Sequence, residues 1–314
     1  MSDYWLSVLI PTYNGEKYLR QTLDSVLEED LRDVEFVVVD DGSTDSTRII
    51  LDSYSSRLNL KIFDQPHSGN WITGVNRALQ LSSGKYISIL HQDDCWIKGR
   101  LEVMRRLAVD HPDVALFFHP VWIMGPSGKR LGKWNCPFSK KTTPLDSDSF
   151  FSKLLIQNFI SIPAPFFRRD SALKIGGFDP NLLYSGDWDF WLKMARSGKI
   201  FYCPELLAIF RVHPGSQTVS ISASLKGFQD QLKTVLERHS VFLGSSKTEQ
   251  KAKETAWFSV KANSAFAALL HKRAVDFPDL FYSFLRLGWG GMMMYLQCAR
   301  FFDRVVPRIR MIFG

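Results

Sequence analysis

Apolar residues over the first hundred positions alternate between two spacings. Leu6-Ser7-Val8-Leu9-Ile10 is a strand-like run, and Leu19, Leu23, Val26 and Leu27 then recur at helical spacing across Tyr18 to Leu27. Val34 to Val39 predicts a second strand, and Thr44-Asp45-Ser46-Thr47 offers N-cap chemistry for a helix through Arg57. Leu60 to Phe63 predicts a third strand, Trp71 to Leu81 a helix, and Tyr86 to Leu90 a fourth strand. Alternation of this kind predicts βαβ units: an α/β fold with a mostly parallel sheet and helices on both faces.

The pattern is less regular after Arg100. Leu101 to Val109 predicts a helix, and Val114 to Val121 one further strand. Gly125-Pro126-Ser127-Gly128 predicts a hairpin turn, and Lys129 to Pro144, rich in Lys, Pro and Thr, a mobile loop. Phe150 to Gln157 and Asp187 to Arg196 read as helices. No strand signal remains after about Ser220, so residues 221–314 are expected to be helical.

A chain of 314 residues, 45% of them hydrophobic, can fill one large core or a domain plus an extension. The net charge of +7 favours polyanionic partners: nucleotides, nucleic acid or anionic lipid. Cys95, Cys136, Cys203 and Cys298 are scattered without CxxC spacing, as expected of reduced thiols in a cytoplasmic protein. Met1-Ser2-Asp3-Tyr4-Trp5 lacks the basic n-region of a signal peptide, and no stretch of about 18 residues is apolar enough to predict a membrane span.

Candidate chemistry gathers where the strands end. Asp40-Asp41 closes the second strand and Asp93-Asp94 follows the fourth, at the carboxyl edge where open α/β sheets bind ligands. Neighbouring carboxylates repel and call for a cation or hydrogen-bond donors, and Asp93-Asp94 suits a hard divalent ion that also takes diphosphate oxygens. Pro11-Thr12-Tyr13-Asn14 after the first strand supplies an aromatic face and small polar groups. Asp41 can accept from a base N–H, and Gly42 lets backbone come close. Together these segments describe a nucleotide-diphosphate site.

Several motifs in order carry a resemblance. They are Ser7-Val8-Leu9-Ile10-Pro11-Thr12-Tyr13-Asn14, Val38-Val39-Asp40-Asp41-Gly42-Ser43-Thr44-Asp45, Asn76, Gly84-Lys85-Tyr86-Ile87 and Asp93-Asp94. Gly176-Gly177-Phe178-Asp179, Gly186-Asp187-Trp188-Asp189-Phe190-Trp191 and Arg211-Val212-His213-Pro214-Gly215-Ser216 follow. Over roughly residues 5–218 the chain resembles the inverting glycosyltransferases of family 2, nucleotide-diphospho-sugar transferases with the Rossmann-like GT-A fold. The resemblance does not reach the last ninety-odd residues. It implies a catalytic domain over 1–220, with a nucleotide-sugar half at about 1–100 and an acceptor half at about 101–220, then a helical extension over 221–314.

Roles follow position by position from that resemblance. Pro11, Thr12, Tyr13 and Asn14 would surround the nucleobase, with Tyr13 stacking on it and Asp41 bonded to it. Asn76 and Arg211 would belong to the nucleotide-sugar site, Arg211 as a phosphate contact. Asp93 would lie near the ribose and diphosphate, and Asp94 would ligate Mn²⁺ or Mg²⁺, with His213 a third metal ligand, a diphosphate contact or a plain loop residue. Asp187 matches the general base, and Asp189 is its competitor. The chain departs from the family at His91, which leads the acidic run where an aspartate is common, and at Gly186, where a glutamate often precedes the base. His67 either faces the nucleotide or shapes a turn, and Trp122 and Trp134 either line an acceptor groove or pack in the core.

Phe277 to Gly314 mixes apolar and aromatic residues with Arg286, Arg300, Arg304, Arg308 and Arg310. That composition suits a helix lying on an anionic, cytoplasmic membrane face, or a helical pair packed on the catalytic domain. The expected function is transfer of a sugar from a UDP-sugar to a hydroxyl of a glycan or lipid-linked acceptor in cell-surface polysaccharide synthesis. Transfer to a polyprenyl phosphate would not need the base at Asp187. A nucleic-acid-binding protein is suggested only by charge, since no aromatic-basic RNA motif or helix-turn-helix pattern is present.

Overall fold

The computed structural model describes residues 4–216 and 224–300, together with 302–303, 305–307 and 310. Strands β1 (Leu6–Thr12), β2 (Val34–Asp40), β3 (Leu60–Asp64) and β4 (Tyr86–Ile89) pair in parallel in the order β3-β2-β1-β4. Between them run α1 (Leu19–Val26), α2 (Thr47–Tyr54) and α3 (Trp71–Leu81). The period of two along the strands divides two cores. Leu9, Val37 and Val39 face α3, whereas Leu6, Val8, Ile10, Phe36 and Val38 face α1 and α2. The mostly parallel sheet with helices on both faces is therefore as the periodicity predicts.

The N-terminus of α2 shows the capping chemistry of the 44–47 segment in a shifted form. Asp45 Oδ1 accepts from the Thr47 N–H at 2.9 Å and from its hydroxyl at 2.5 Å, while Ser46 makes no side-chain cap. The helix stops at Tyr54, three residues short of the expected Arg57.

Past α4 (Arg100–Asp110) the sequence reading needs correction. Val114 to Val121 is not one strand: β6 (Val114–Phe118) stays in the large sheet and β7 (Val121–Met124) enters a second one. The break falls at His119-Pro120, where proline has no N–H to give a ladder. Nor is 129–144 simply a loop. It carries β8 (Arg130–Trp134), which completes the hairpin across Gly125–Gly128, and β9 (Thr143–Leu145). Beyond α5 (Ser147–Ile156), β10 (Phe166–Arg168) pairs antiparallel with both β4 and β6, and β11 (Lys199–Tyr202) runs parallel to β6. Helices α6 (Arg169–Lys174) and α7 (Gly186–Ala195) lie between them.

The small sheet positions the site. Its order is β5-β12-β7-β8, with β5 (Cys95–Trp96) directly after Asp94 and β12 (Ala208–Arg211) paired antiparallel to it. Ile209 lies opposite Cys95, so Arg211 is carried alongside Asp93 and Asp94.

The expected boundary at residue 220 lies outside the described residues. After it come α8 (Leu225–Ser240), α9 (Lys247–Leu270), α10 (Phe277–Arg286) and α11 (Gly288–Ala299), with no strand among the described residues. Phe228, Leu232, Val235 and Leu236 of α8 and Ala252, Ala256 and Val260 of α9 join the core that holds α5 and α7. No helix among the described residues is long and apolar enough to cross a membrane. The four cysteines are buried free thiols.

One buried carboxylate ties three segments of the parallel sheet. Glu35, on β2 and shielded from water, accepts from the Ser7 hydroxyl at 2.5 Å, from the Ser83 N–H and hydroxyl, and from Lys61 Nζ at 2.6 Å. Burial pushes its pKa up, yet the bonds from Lys61, Ser7 and Ser83 outweigh this and hold it below the ordinary value. Glu35→Ala strips the partner from a buried hydroxyl and a backbone N–H. It should lower stability by about 3 kcal/mol, read as a reduced urea midpoint at unchanged slope.

Candidate active site

The strand ends of β1, β2 and β4 converge on a cavity of about 330 Å³. Of the residues singled out by sequence, Pro11, Thr12, Tyr13, Asp41, Asp93, Asp187, Arg211 and His213 line it. Asn14, Asn76 and Asp94 stand behind the lining. Asn14, at a positive φ of 45°, accepts from the Thr44 N–H at 2.8 Å. Asn76 clasps Phe178 by donating to its carbonyl and accepting from its N–H, which fixes the Gly176–Asp179 turn against α3.

At one end, Tyr13 and Gln92 exchange reciprocal 2.9 Å bonds between the Tyr13 backbone and the Gln92 amide. This leaves the Tyr13 ring 40% exposed and stacked on His67 with centroids 4.0 Å apart. Asp41 fixes the loop that carries His67. Its carboxylate accepts from Gln65 Nε2, the Ser68 N–H and hydroxyl, and the Gly69 N–H, and a His67 ring nitrogen lies 3.0 Å away. Burial raises its pKa, but these donors outweigh it and the net shift is downward. Gly42 beside it is required: its φ is +77°, and a Cβ there would lie 3.1 Å from the His67 backbone nitrogen.

Deeper in, the 91–94 turn collects His91, Asp93 and Asp94, whose potential ligand atoms lie within 4.8 Å of one another. Asp94 Oδ1 accepts from the Arg211 N–H at 2.9 Å, while Asp94 Oδ2 and His91 Nε2 are buried without a hydrogen-bond partner. Burial, reinforced by the charge of Asp93, pushes the Asp94 pKa well above the carboxylate range. Burial likewise lowers that of His91 and favours the neutral, ligating imidazole. Two oxygens and one imidazole nitrogen, two of the three lacking partners, fit a divalent cation. This cluster differs from the pair expected from sequence. His213 Nε2 lies 2.8 Å from Asp93 Oδ2 and supports that carboxylate from outside the cluster.

Arg211 is buried and fully engaged. Its Nε donates to the Asp93 carbonyl at 2.8 Å, Nη1 to the Gly125 carbonyl and Nη2 to Gln21 Oε1, and its guanidinium lies 4.4 Å from the Tyr18 ring centre. All three nitrogens are thus bonded to protein, and Arg211 joins the acidic turn to α1 and to the β7–β8 hairpin.

Asp187 joins the lining from the first turn of α7, where the helix N-terminus favours negative charge. Its oxygens accept from the Trp188 N–H at 2.7 Å and from Asn158 Nδ2 at 2.9 Å. Burial raises its pKa to about 6 against those two bonds. Trp188 lines the cavity, whereas Trp191 packs against Phe178, Phe167 and Phe190 in the core. A Cβ at Gly186 would meet Ile72 Cδ1 at 2.5 Å, so a carboxylate there would require the Ile72 side chain of α3 to shift. Asp189 faces inward, away from the lining. Arg238 and His239 each lie 2.8 Å from its Oδ1 and Lys193 lies 3.0 Å from Oδ2, so that despite burial its pKa is pulled down to about 2.

Of the residues left between two readings, His67 and Trp134 line the cavity and Trp122 does not. Sequence reasoning left out Trp71 and Gln92. Asn158 could have been noticed as a polar residue ending the apolar run of α5. Phe228, Leu232 and Asn263 could not, because they come from helices that carry no motif.

The family model described as Glycosyl transferase family 2 matches residues 7–174. An uncharacterized glycosyltransferase of Rickettsia prowazekii is 27% identical over 238 residues, which is 72% of this chain and 69% of that protein. An uncharacterized protein of Mycobacterium tuberculosis is 28% identical over 234 residues, covering 72% and 73%. Among solved structures, S. aureus TarS 1-349 in complex with UDP-GlcNAc superposes with a TM-score of 0.71 at 19% identity, over 98% of this chain and 89% of that one. The mannosyltransferase PcManGT of Pyrobaculum calidifontis, in complex with GDP-Man and Mn²⁺, gives a TM-score of 0.56 at 17% identity, over 98% and 87%. At these identities the two structures share a fold with this chain.

Asp189 ties α7, and with it Asp187, to α8. Asp189→Asn removes the anion beside His239 and Lys193 and one of the two that hold Arg238, which keeps Asp179, and should cost about 3 kcal/mol. Because the native pKa is depressed, this stabilisation is present above the ordinary value of 3.8 and is lost as pH falls towards about 2. Thermal unfolding of the two proteins should therefore differ near neutrality and converge in acid.

Proposed function

The chain belongs to glycosyl transferase family 2, and from that premise we propose that it is an inverting, metal-dependent enzyme. It moves a sugar from a UDP-sugar to a hydroxyl of a glycan or lipid-linked acceptor in cell-surface polysaccharide synthesis. The observation that carries this reading is one cavity whose lining holds His91 and Asp93 together with Asp187, a carboxylate whose pKa burial raises to about 6. A UDP carrier is favoured because, of the two nucleotide-sugar complexes compared, the one with the higher TM-score holds UDP-GlcNAc.

In this reading residues 1–100 grip the donor. The nucleobase stacks on Tyr13 beside His67, with Pro11 and Thr12 beneath it, and Asp41 acts by fixing the His67–Gly69 loop. Asp93 lies by the ribose and diphosphate. Mn²⁺ or Mg²⁺ is held by Asp94, Asp93 and His91, and when bound it supplies positive charge to the departing diphosphate. Arg211 and His213 hold the two carboxylates in place.

Residues 101–220 receive the acceptor. Asp187 takes the proton of the acceptor hydroxyl as that oxygen bonds to the anomeric carbon. The bond from that carbon to the diphosphate oxygen breaks, and its electron pair leaves with the UDP. Asn158 and the Trp188 N–H keep the carboxylate oriented. The remaining carboxylates among the described lining residues are Asp41 and Asp93, both engaged by the protein as above. A single displacement with inversion is therefore favoured over a covalent glycosyl intermediate.

Two outcomes test the proposal. Asp187→Asn should lower kcat about 10³-fold while leaving the Kd for the UDP-sugar nearly unchanged. In the wild type, kcat/KM should rise tenfold per pH unit up to about pH 6 and then level off, because the base must be ionised. Separately, Mn²⁺ should increase the thermal shift given by a UDP-sugar, and Asp94→Asn should remove that increment. A shift independent of metal in the wild type would refute the metal assignment.

A further inference from the structure

Helices α10 and α11 are apolar on two sides. Their inner residues, Leu280, Phe284, Leu287 and Tyr295, pack with Phe258 of α9. That contact satisfies the pair as part of the fold. Each helix nevertheless carries a second row of large apolar residues at i, i+4 spacing: Phe277, Phe281 and Leu285 on α10, then Trp289 and Met293 on α11. Phe281 is 64% exposed and Trp289 77%, and α10 has no buried residue at all. Both helices lean on α9 through their other faces, so the two exposed rows point away from the body of the protein. Isolated exposed apolar residues are ordinary, but a run of this size on adjoining helices marks an interaction surface.

Charge selects the occupant. From Arg286 to the C-terminus the sequence holds five arginines, Arg286, Arg300, Arg304, Arg308 and Arg310, and a single acid, Asp303. Phe301, Arg304 and Arg308 lie outside the described residues, but the excess of positive charge is a property of the sequence. Arg286 stands on α10 next to Leu285 of the exposed row, and bulky apolar and aromatic side chains in a segment of net positive charge match the acyl–headgroup boundary of an anionic bilayer, where rings and aliphatic groups enter and guanidinium groups meet phosphate. A second copy of the chain would bring the same positive charge against itself.

We infer that the outer face of α10 and α11, centred on Phe281, Leu285 and Trp289 with Arg286 at its edge, docks on an anionic lipid bilayer. The surface is joined to the site. Asp303, just past α11, accepts from Asn135 Nδ2 at 3.0 Å, and Arg310 donates to the Leu131 carbonyl at 2.8 Å. Both partners belong to or adjoin β8, whose Trp134 lines the cavity. The segment that follows α11 thus links the docking helices to the strand that carries a cavity residue. The inference stands apart from the transferase reading, because lipid binding needs no donor or acceptor.

The experiment is flotation of the full chain with phosphatidylcholine vesicles, with or without phosphatidylglycerol. The wild type should float with the anionic vesicles only. Phe281→Asp combined with Trp289→Asp should reduce flotation about tenfold, and Arg286→Glu should weaken it in a salt-dependent manner. The substituted side chains face outward, so the melting temperature should not change, and that measurement separates lost docking from lost folding. Wild-type protein that stays in the aqueous fraction with both vesicle types would overturn the inference, as would a double variant that floats as well as the wild type. A wild-type dimer that the double variant dissociates, without vesicle binding by either, would assign the face to a second copy and overturn it equally.

Discussion

Two adjacent carboxylates at the end of an apolar strand are electrostatically untenable alone, and the architecture around Asp93 and Asp94 answers that constraint. Burial and mutual repulsion both disfavour a second negative charge there. The end of β12 answers it with Arg211, which gives its backbone N–H to Asp94 and its Nε to the Asp93 carbonyl, and the turn after β12 sets His213 beside the Asp93 carboxylate. The small sheet exists in register with this need: β5 begins at the residue after Asp94 and pairs with β12. What the protein leaves unanswered are Asp94 Oδ2 and His91 Nε2, and the proposed cation site rests on those two atoms.

The first half of the chain was legible because periodicity and local chemistry agree there. Val34 to Val39 can only be a strand buried on both faces, and Leu19, Leu23 and Val26 can only be one side of a helix. The second half was less legible, for physical reasons that can be named. Pro120 interrupts an apolar run and splits it between two sheets. Arg130 to Trp134 alternates too weakly to announce an edge strand, and Phe166–Arg168 is too short to show a period at all. Strands like these are set by their neighbours rather than by their own sequence.

Site residues followed the same division. Asp94 and Asp187 were legible because a charge in an apolar setting is conspicuous. The partnerships were not, since they join positions far apart: Asn158 with Asp187, Arg211 with Gln21, His239 with Asp189. Sequence could therefore name candidates yet could not tell a residue facing the cavity from one holding the wall, as Asn76 illustrates.

The wall contributed by Phe228, Leu232 and Asn263 lies wholly beyond the segment that matches the family, residues 7–174. The chamber is thus completed by helices that carry no motif of their own, and its shape on that rim depends on how α8 and α9 pack on the core rather than on the strand tips.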